Sequence, residues 1–137
     1  MKKRKILAIV LSIVFAFSLF GAMGVSAEER LQYISCAGAE AYKVASNKIS
    51  IDVELDGYQN YTTDMSITIN LQYYNTVTNK WVTIDTVSKD FLNSCYGELE
   101  QTWIVSTGFT YRGRVYCDGY RFGVMESLTI DTNSIAY

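Results

Sequence analysis

Two glutamates, Glu98 and Glu100, come nearest to a catalytic pair in type and spacing. Residues two apart on a strand share one face and lie roughly 6 to 7 Å from each other. Paired carboxyl groups at such a separation can hydrolyse glycosidic bonds when one of them has a raised pKa inside a deep cleft. A domain of this size seldom forms that cleft, so a small hydrolase is the most distant function that we consider.

The run Asp52-Val53-Glu54-Leu55-Asp56-Gly57 imitates the start of a calcium-binding loop. Such a loop needs a carboxylate at its twelfth position, and that position is Thr63. Val53 and Leu55 also fit the buried face of a strand. We therefore expect a solvated acidic strand here, and we predict no metal and no cofactor.

The three cysteines, Cys36, Cys95 and Cys117, lack a catalytic or zinc-binding context. Without histidine, a CxxC pair or a Gly-x-Ser-x-Gly elbow, the sequence provides neither a zinc site nor a nucleophile–base pair, so we do not expect an enzyme. An odd number of cysteines in an exported protein leaves one thiol over, or forms an intermolecular bond. Of the three pairings we favour Cys36–Cys117, because Cys95 lies in a predicted loop; a reduced, buried Cys117 is the alternative.

An aromatic surface is the remaining candidate for a binding site. If strands over 66–74, 81–87 and 111–118 share a sheet, their outward side chains converge. These side chains are Tyr74, Trp81, Tyr116, Arg112 and Arg114, with Asn70 and Gln72 beside them. Rings next to amide and guanidinium donors suit stacking on sugar rings or a protein contact. The alternative is that they form cross-strand and cation–π pairs that only stabilise the sheet. We expect Trp103 in the core instead.

The segments that must position these residues alternate with a period of two. In 48–55 and 66–74, apolar residues alternate with polar ones, which predicts half-buried strands. Further strands are predicted over 39–44, 81–87, 99–105, 111–118 and 124–130, with turns over 76–80 and 118–123 and a loop over 88–97. Glu126 breaks the alternation of the last strand and predicts a bulge. About seven strands without a long helix predict an all-β, two-sheet antiparallel sandwich, with a small barrel as the alternative.

The first 27 residues have the three parts of a signal peptide. Basic Lys2-Lys3-Arg4-Lys5 precedes an apolar run from Ile6 to Phe20, and Val25-Ser26-Ala27 forms a small-residue cleavage site. The run is too short for a spanning helix. We therefore predict a cleaved signal helix over 1–27 and a β-sandwich domain over 28–137. With no cysteine at the cleavage point and no hydrophobic segment over 131–137, we expect a secreted protein without a membrane anchor.

The net charge of the mature chain limits the classes of partner that we expect. Loss of the four leading cations changes the net charge from −2 to −6, with eight basic residues against 14 acidic ones. An acidic domain is a poor candidate for nucleic acid or anionic lipid, both of which favour clustered Lys and Arg. The eleven tyrosines suit strands and amphipathic contacts.

Several short motifs give the chain a family resemblance. They are Arg30-Leu31-Gln32-Tyr33-Ile34, Leu71-Gln72-Tyr73-Tyr74-Asn75 before Lys80-Trp81, Trp103-Ile104-Val105-Ser106-Thr107-Gly108 before Thr110-Tyr111-Arg112, and Gly123-x-x-Glu126-x-x-Thr129. In this order, over most of residues 30 to 130, the chain resembles uncharacterised small secreted proteins of clostridia-like Gram-positive bacteria. The resemblance implies a single immunoglobulin/fibronectin-type β-sandwich and export from a Gram-positive cell, and it implies no activity.

One tyrosine has a structural role in such sandwiches. A tyrosine at the start of the penultimate strand can fold its hydroxyl back onto the preceding loop, and Tyr111 occupies that place. Val115, not a tyrosine, lies two residues before Cys117, so the antibody pattern is not matched. We predict a stabilising role for Tyr111.

Three functions remain, in order of preference. The first is a secreted, non-enzymatic binding or interaction module for a polysaccharide or protein ligand at the cell surface. The second is a structural, self-associating extracellular β protein that uses an unpaired cysteine or an open sheet edge. The third is the small hydrolase built on Glu98 and Glu100.

Overall fold

The computed structural model describes residues 31–137, and the signal peptide predicted over 1–27 lies outside the described residues. Eight strands follow one another along the chain. They are β1 (Ile34–Ala45), β2 (Lys48–Gly57), β3 (Asp64–Asn75), β4 (Lys80–Phe91), β5 (Tyr96–Ile104), β6 (Thr110–Arg121), β7 (Val124–Asp131) and β8 (Ile135–Ala136). No helix in this part of the chain is long and apolar enough to cross a membrane.

The strands form two antiparallel sheets. One sheet has three strands in the order β1-β2-β5, and the other has five, in the order β4-β3-β6-β7 with β8 paired to β6. The first, second and fifth strands therefore face the third, fourth, sixth and seventh, as in an immunoglobulin/fibronectin-like sandwich. The predicted all-β sandwich is confirmed, with the two-residue β8 added to the seven expected strands.

The core lies between β2 and β3, where the predicted alternation is strictest. Ile49, Ile51, Val53 and Leu55 all point inward from β2 and are fully buried. The residues that meet them from the other sheet are also buried, and they are Met65, Ile67, Ile69 and Leu71 on β3 with Val115 and Cys117 on β6. Burial of these apolar faces stabilises the domain because it removes the side chains from water.

Two aromatic residues have the structural roles that the sequence predicted. Trp103 is 9% exposed and packs in the core. Its indole N–H donates to Asp85 Oδ2 at 2.7 Å. The Tyr111 hydroxyl donates to the backbone oxygen of Ser106 at 3.0 Å, five residues back in the preceding loop. This bond fastens that loop to the start of β6.

The strands are longer than the alternation predicted. The loop predicted over 88–97 is wrong for most of its length, because β4 continues to Phe91 and β5 begins at Tyr96. The turn predicted over 118–123 contracts to Phe122-Gly123, since β6 continues to Arg121. Pairing with β3 accounts for this extension: Asp118, Gly119 and Tyr120 are all in register with residues of that strand.

The bulge predicted at Glu126 is also wrong. The β6–β7 register runs without interruption from Arg114↔Asp131 to Arg121↔Val124. Glu126 shares a face with the half-buried Leu128 and Ile130, and its carboxylate accepts backbone hydrogen bonds from Gln32, Tyr33 and Ile34. A carboxylate on the inner side of the strand is stable because it satisfies donors at the beginning of β1.

Asn133 covers the open edge of β1 near the middle of the strand. The side chain of Asn133 accepts from the backbone nitrogen of Ala41 at 2.9 Å and donates to the backbone oxygen of the same residue at 2.8 Å. A side chain that satisfies both backbone groups takes the place of a neighbouring strand at that point. Together, Glu126 and Asn133 reduce the length of open edge that β1 offers to a second chain.

Candidate functional site

The sheet does bring Tyr74, Trp81 and Arg112 together, as the sequence predicted. Tyr74 and Trp81 are paired across β3 and β4, with their ring centroids 5.2 Å apart. The guanidinium carbon of Arg112, on β6, lies 4.3 Å from the centroid of the Trp81 ring. This is a cation–π contact, and it places the charge over one face of the indole.

The two arginines of this surface are held by the protein itself. Arg112 donates to Gln72 Oε1 at 3.0 Å and forms an ion pair with Asp131 at 3.1 Å, and its side chain is only 16% exposed. Arg114 binds the same carboxylate of Asp131 through Nε at 2.9 Å and Nη2 at 3.3 Å. These contacts use donors that a ligand would need, so the geometry favours the sheet-stabilising alternative.

Tyr116 faces the same side of the sheet but lies apart from the other rings. It is in register with Thr68 and Thr129, four residues along β6 from Arg112. At about 3.3 Å per residue this separation is roughly 13 Å. Tyr74, in contrast, borders a groove of about 310 Å³ together with Tyr73 and Phe109.

The carboxylate pair lies on an open surface. Glu98 and Glu100 point outward from β5, in register with Glu54 and Asp52. Hydrogen bonds from Tyr42 and Ser50 to the Glu100 carboxylate lower its pKa. A general acid needs a raised pKa, so this environment shifts the group in the opposite direction.

The calcium-like run is a strand. Asp52 to Gly57 forms the second half of β2, and Val53 and Leu55 within it are fully buried. A calcium loop must fold its ligands around one point, which extended backbone with alternating faces cannot do. Over residues 31–137, no group of three His, Cys, Asp or Glu side chains is arranged to hold a metal ion.

The three cysteines are free thiols at different depths. Cys36 is exposed on β1, Cys95 is half-buried and Cys117 is buried in the core. The favoured Cys36–Cys117 pairing is therefore not formed, because the Cys36 side chain is exposed and the Cys117 side chain is buried in the core. Burial, with the nearby Asp118 charge as a smaller cause, raises the pKa of the Cys117 thiol to about 11.

A second concave surface lies where three connections meet. We use the name loop end for the β2–β3 loop (58–63), the β4–β5 loop (92–95) and the β6–β7 turn (122–123). Residues from all three line one pocket of about 460 Å³, which we call the loop pocket. Its wall includes the amide side chains of Gln59, Asn60 and Asn93, none of which bonds to another described residue.

The β2–β3 loop is held in place by the buried side chain of Thr62. Thr62 is 7% exposed, and its hydroxyl donates to the backbone oxygen of Tyr33 at 2.6 Å while it accepts the N–H of Tyr58 at 2.9 Å. A Cβ on Gly57 would lie 2.6 Å from that hydroxyl oxygen, so only glycine fits there. The β4–β5 loop is fixed similarly, since Asn93 donates its backbone N–H to Asp64 at 2.8 Å. Both loops are therefore anchored to neighbouring segments of the sandwich.

Phe122 is the most unusual residue of the loop end. It forms the two-residue β6–β7 turn with Gly123, and both have positive φ angles, 49° and 79°. Turns of this kind favour asparagine or glycine, because a bulky side chain in the left-handed region is strained. Within residues 31–137, the other non-glycine residues with positive φ are all asparagines, namely Asn60, Asn79 and Asn93. The Phe122 side chain is 81% exposed, so it contributes little to the core.

Arg121 lies beside Phe122 in the same pocket. Its guanidinium carbon is 3.4 Å from the centroid of the Tyr61 ring and 4.8 Å from that of Phe122. Its Nη1 donates to the backbone oxygen of Tyr61 at 2.9 Å. Among the three arginines within 31–137, it is the one with no carboxylate at ion-pair distance.

Sequence reasoning did not select the residues of the loop end. The local signal was present, because Phe122-Gly123 places an aromatic residue where a tight hairpin favours asparagine. Because the sequence predicts the turn over six positions, 118–123, it does not place Phe122 at a left-handed position of a two-residue turn. The meeting of three loops at one pocket depends on the pairing of distant strands, and no local pattern encodes it.

No protein-family model matches the chain, and no curated protein sequence matches it.

Proposed function

We propose that this protein is a secreted, non-enzymatic binding module whose recognition surface is the loop end. The ligand class at this level is a polysaccharide or a protein outside the cell. Export is proposed from the signal-like residues 1–27, and binding from the geometry of the three loops.

The observation that carries this proposal is the conformation of Phe122. A left-handed backbone costs an L-residue roughly 1 to 2 kcal/mol, and asparagine or glycine would avoid most of that cost. An exposed phenyl ring adds no compensating burial. Residues that violate a local preference without a structural return are characteristic of functional sites.

The surroundings of Phe122 strengthen the case. Exposed apolar residues extend from the turn, with Val124 at 57% and Met125 at 56% exposure, and Leu92 on the neighbouring loop is 74% exposed. Neighbouring exposed apolar side chains that form a patch mark interaction surfaces more often than isolated ones do. Hydrogen bonds that anchor two of these loops reduce the entropy that binding would cost.

The experiment compares the wild-type protein with Phe122→Asn in retention on cell-wall preparations and immobilised glycans. Asn suits the turn, so we expect the variant to be as stable as the wild type or more stable by about 1 kcal/mol, yet to lose retention. Ile104→Asn is the matched control, because Ile104 is 76% exposed at the other end of β5. Equal retention by wild type and Phe122→Asn would refute the loop-end proposal.

Self-association is the second candidate, and Cys36 is the observation that favours it. Its thiol is exposed on edge strand β1, where an intermolecular disulfide can form. Glu126 and Asn133 act against edge pairing of the same strand. A mass measurement without reductant separates the two routes, since a covalent dimer would support the disulfide alone.

A further inference from the structure

We infer that the loop pocket binds a saccharide that carries a carboxylate, such as a uronic acid residue. This inference rests on the proposed function of the loop end and names its ligand class. Three features of the pocket correspond to three parts of such a ligand: a guanidinium edge and amide side chains that have no partner within residues 31–137, and an exposed ring.

The guanidinium edge is the feature that indicates an anion. Arg121 is held by the Tyr61 ring and by one bond from Nη1, which leaves the edge formed by Nε and Nη2 without a partner in the described chain. On the same strand, Arg114 uses that edge to bind the carboxylate of Asp131, at 2.9 and 3.3 Å. Arg121 therefore offers a bidentate carboxylate site that no residue within 31–137 fills.

The distribution of acidic residues also favours an anionic ligand at Arg121. With 14 acidic residues in the whole chain, an arginine can readily find an internal carboxylate, as Arg112 and Arg114 do. None of the described residues that line the loop pocket is acidic, and Asp64, which lies at the same end, accepts the backbone N–H of Asn93. The pocket thus keeps one positive charge inside an otherwise acidic domain, which suits an external anion.

The remaining groups indicate a sugar rather than a peptide. The exposed ring of Phe122 offers an apolar face on which the C–H face of a pyranose can lie. Gln59, Asn60 and Asn93 each offer one amide that can both donate to and accept from hydroxyl groups. A volume of about 460 Å³ accommodates one or two sugar rings.

The test measures binding of the purified protein to a galacturonic acid tetramer by calorimetry. The first control ligand is the methyl-esterified tetramer, which keeps the rings and hydroxyls and removes the charge. The second is a glutamate tetramer, which keeps the charge and removes the sugar. We expect the acid to bind with a dissociation constant below about 1 mM, the ester about 10- to 100-fold more weakly and the peptide not at all.

Variants assign the contact to Arg121. Arg121→Gln should weaken binding of the acid to the level of the ester, and Arg121→Lys should restore only part of it, because lysine lacks the planar fork. Lys80→Gln is the matched control, since it removes one exposed positive charge at the start of β4, at the opposite end of the domain. Equal loss with Lys80→Gln would reduce the effect to overall charge and overturn the inference.

The outcomes for this inference and for the proposed function are distinct. Equal binding of acid and ester, or binding of the glutamate tetramer, overturns the acidic saccharide. A lack of measurable binding to both galacturonate and glucuronate tetramers does so as well. In each case the loop end remains the recognition surface if Phe122→Asn still abolishes retention on cell walls.

Discussion

Glu126 Oε2 accepts the backbone N–H of Tyr33 at 2.8 Å, across 93 residues of sequence. The same carboxylate also accepts from Gln32 at 2.7 Å and Ile34 at 3.1 Å. One side chain of β7 thus fastens the start of β1 to the other sheet. The sandwich is closed at this corner by an ionised group, which makes its stability sensitive to pH.

Glu126→Gln should lower stability at neutral pH and remove a pH-dependent part of it. Partial burial opposes ionisation, but the three backbone donors outweigh it and lower the pKa of Glu126 below its ordinary value of 4.5. Because the folded pKa is lowered, the stabilisation is complete above the unfolded pKa and is lost as pH falls through the folded one. We expect a deficit of about 1 to 2 kcal/mol at pH 7 from urea unfolding, shrinking towards pH 3.

The comparison uses the difference between the two proteins at each pH, so the other carboxyl groups cancel. A deficit that stayed constant from pH 7 to pH 3 would show that the ionisation of Glu126 does not stabilise this corner.

Tyr111→Phe should destabilise the domain by about 1 kcal/mol, because it removes the hydroxyl that donates to Ser106 and leaves that carbonyl without its partner. Urea unfolding gives the value. Tyr116→Phe is the matched control on the same strand, since the Tyr116 hydroxyl bonds to no other residue within 31–137. It should change the free energy of unfolding by less than about 0.5 kcal/mol, as ordinary surface substitutions do. Equal effects of the two substitutions would remove the special role of Tyr111.

Trp81→Ala should lower stability without loss of ligand retention. The substitution removes the contacts of the indole with Tyr74 and Arg112, which together are worth about 1 to 2 kcal/mol. Tyr116→Ala, at the distant position on the same face, should cost less. The measurements are thermal unfolding and retention on cell walls. If a folded Trp81→Ala protein lost retention, the recognition surface would move from the loop end to the sheet.

Maleimide should label Cys36 quickly in the native protein and Cys117 only after unfolding. The thiol of Cys36 is exposed, whereas that of Cys117 is buried and has a pKa of about 11, so it is protonated and inaccessible at neutral pH. Peptide mass spectrometry after labelling gives the order of reaction, and the unfolded protein is the control. Any covalent dimer should disappear in Cys36→Ser. Rapid native labelling of Cys117 would contradict the buried position.

For the aromatic face, the sequence predicted which side chains lie together but not which of them are already bonded to other residues. Alternation predicted that Tyr74, Trp81 and Arg112 share one face, and the register of β3 with β4 and β6 brings them into contact. It could not predict that Asp131, on another strand, would bind both Arg112 and Arg114. That ion pairing decides whether the donors remain available, and it depends on distances across the sheet.

The sequence by itself determined the class of fold and its core. Period-two alternation in β2 and β3 commits one face of each strand to burial, because a change of register by one residue would expose the entire apolar set. It also determined the position of Tyr111, since a hydroxyl that folds back five residues is a local arrangement.

Tertiary structure decided the rest. Glu126 broke the pattern of its strand, and only the start of β1, far away in sequence, explains why a carboxylate belongs there. The sequence allowed a disulfide between Cys36 and Cys117, but the sandwich leaves Cys36 exposed and buries Cys117 in the core. The loop pocket exists because three separate connections meet at one end of the domain, and no described carboxylate lies at ion-pair distance from Arg121. Such proximity follows from strand pairing between distant segments, which no local spacing of residues encodes.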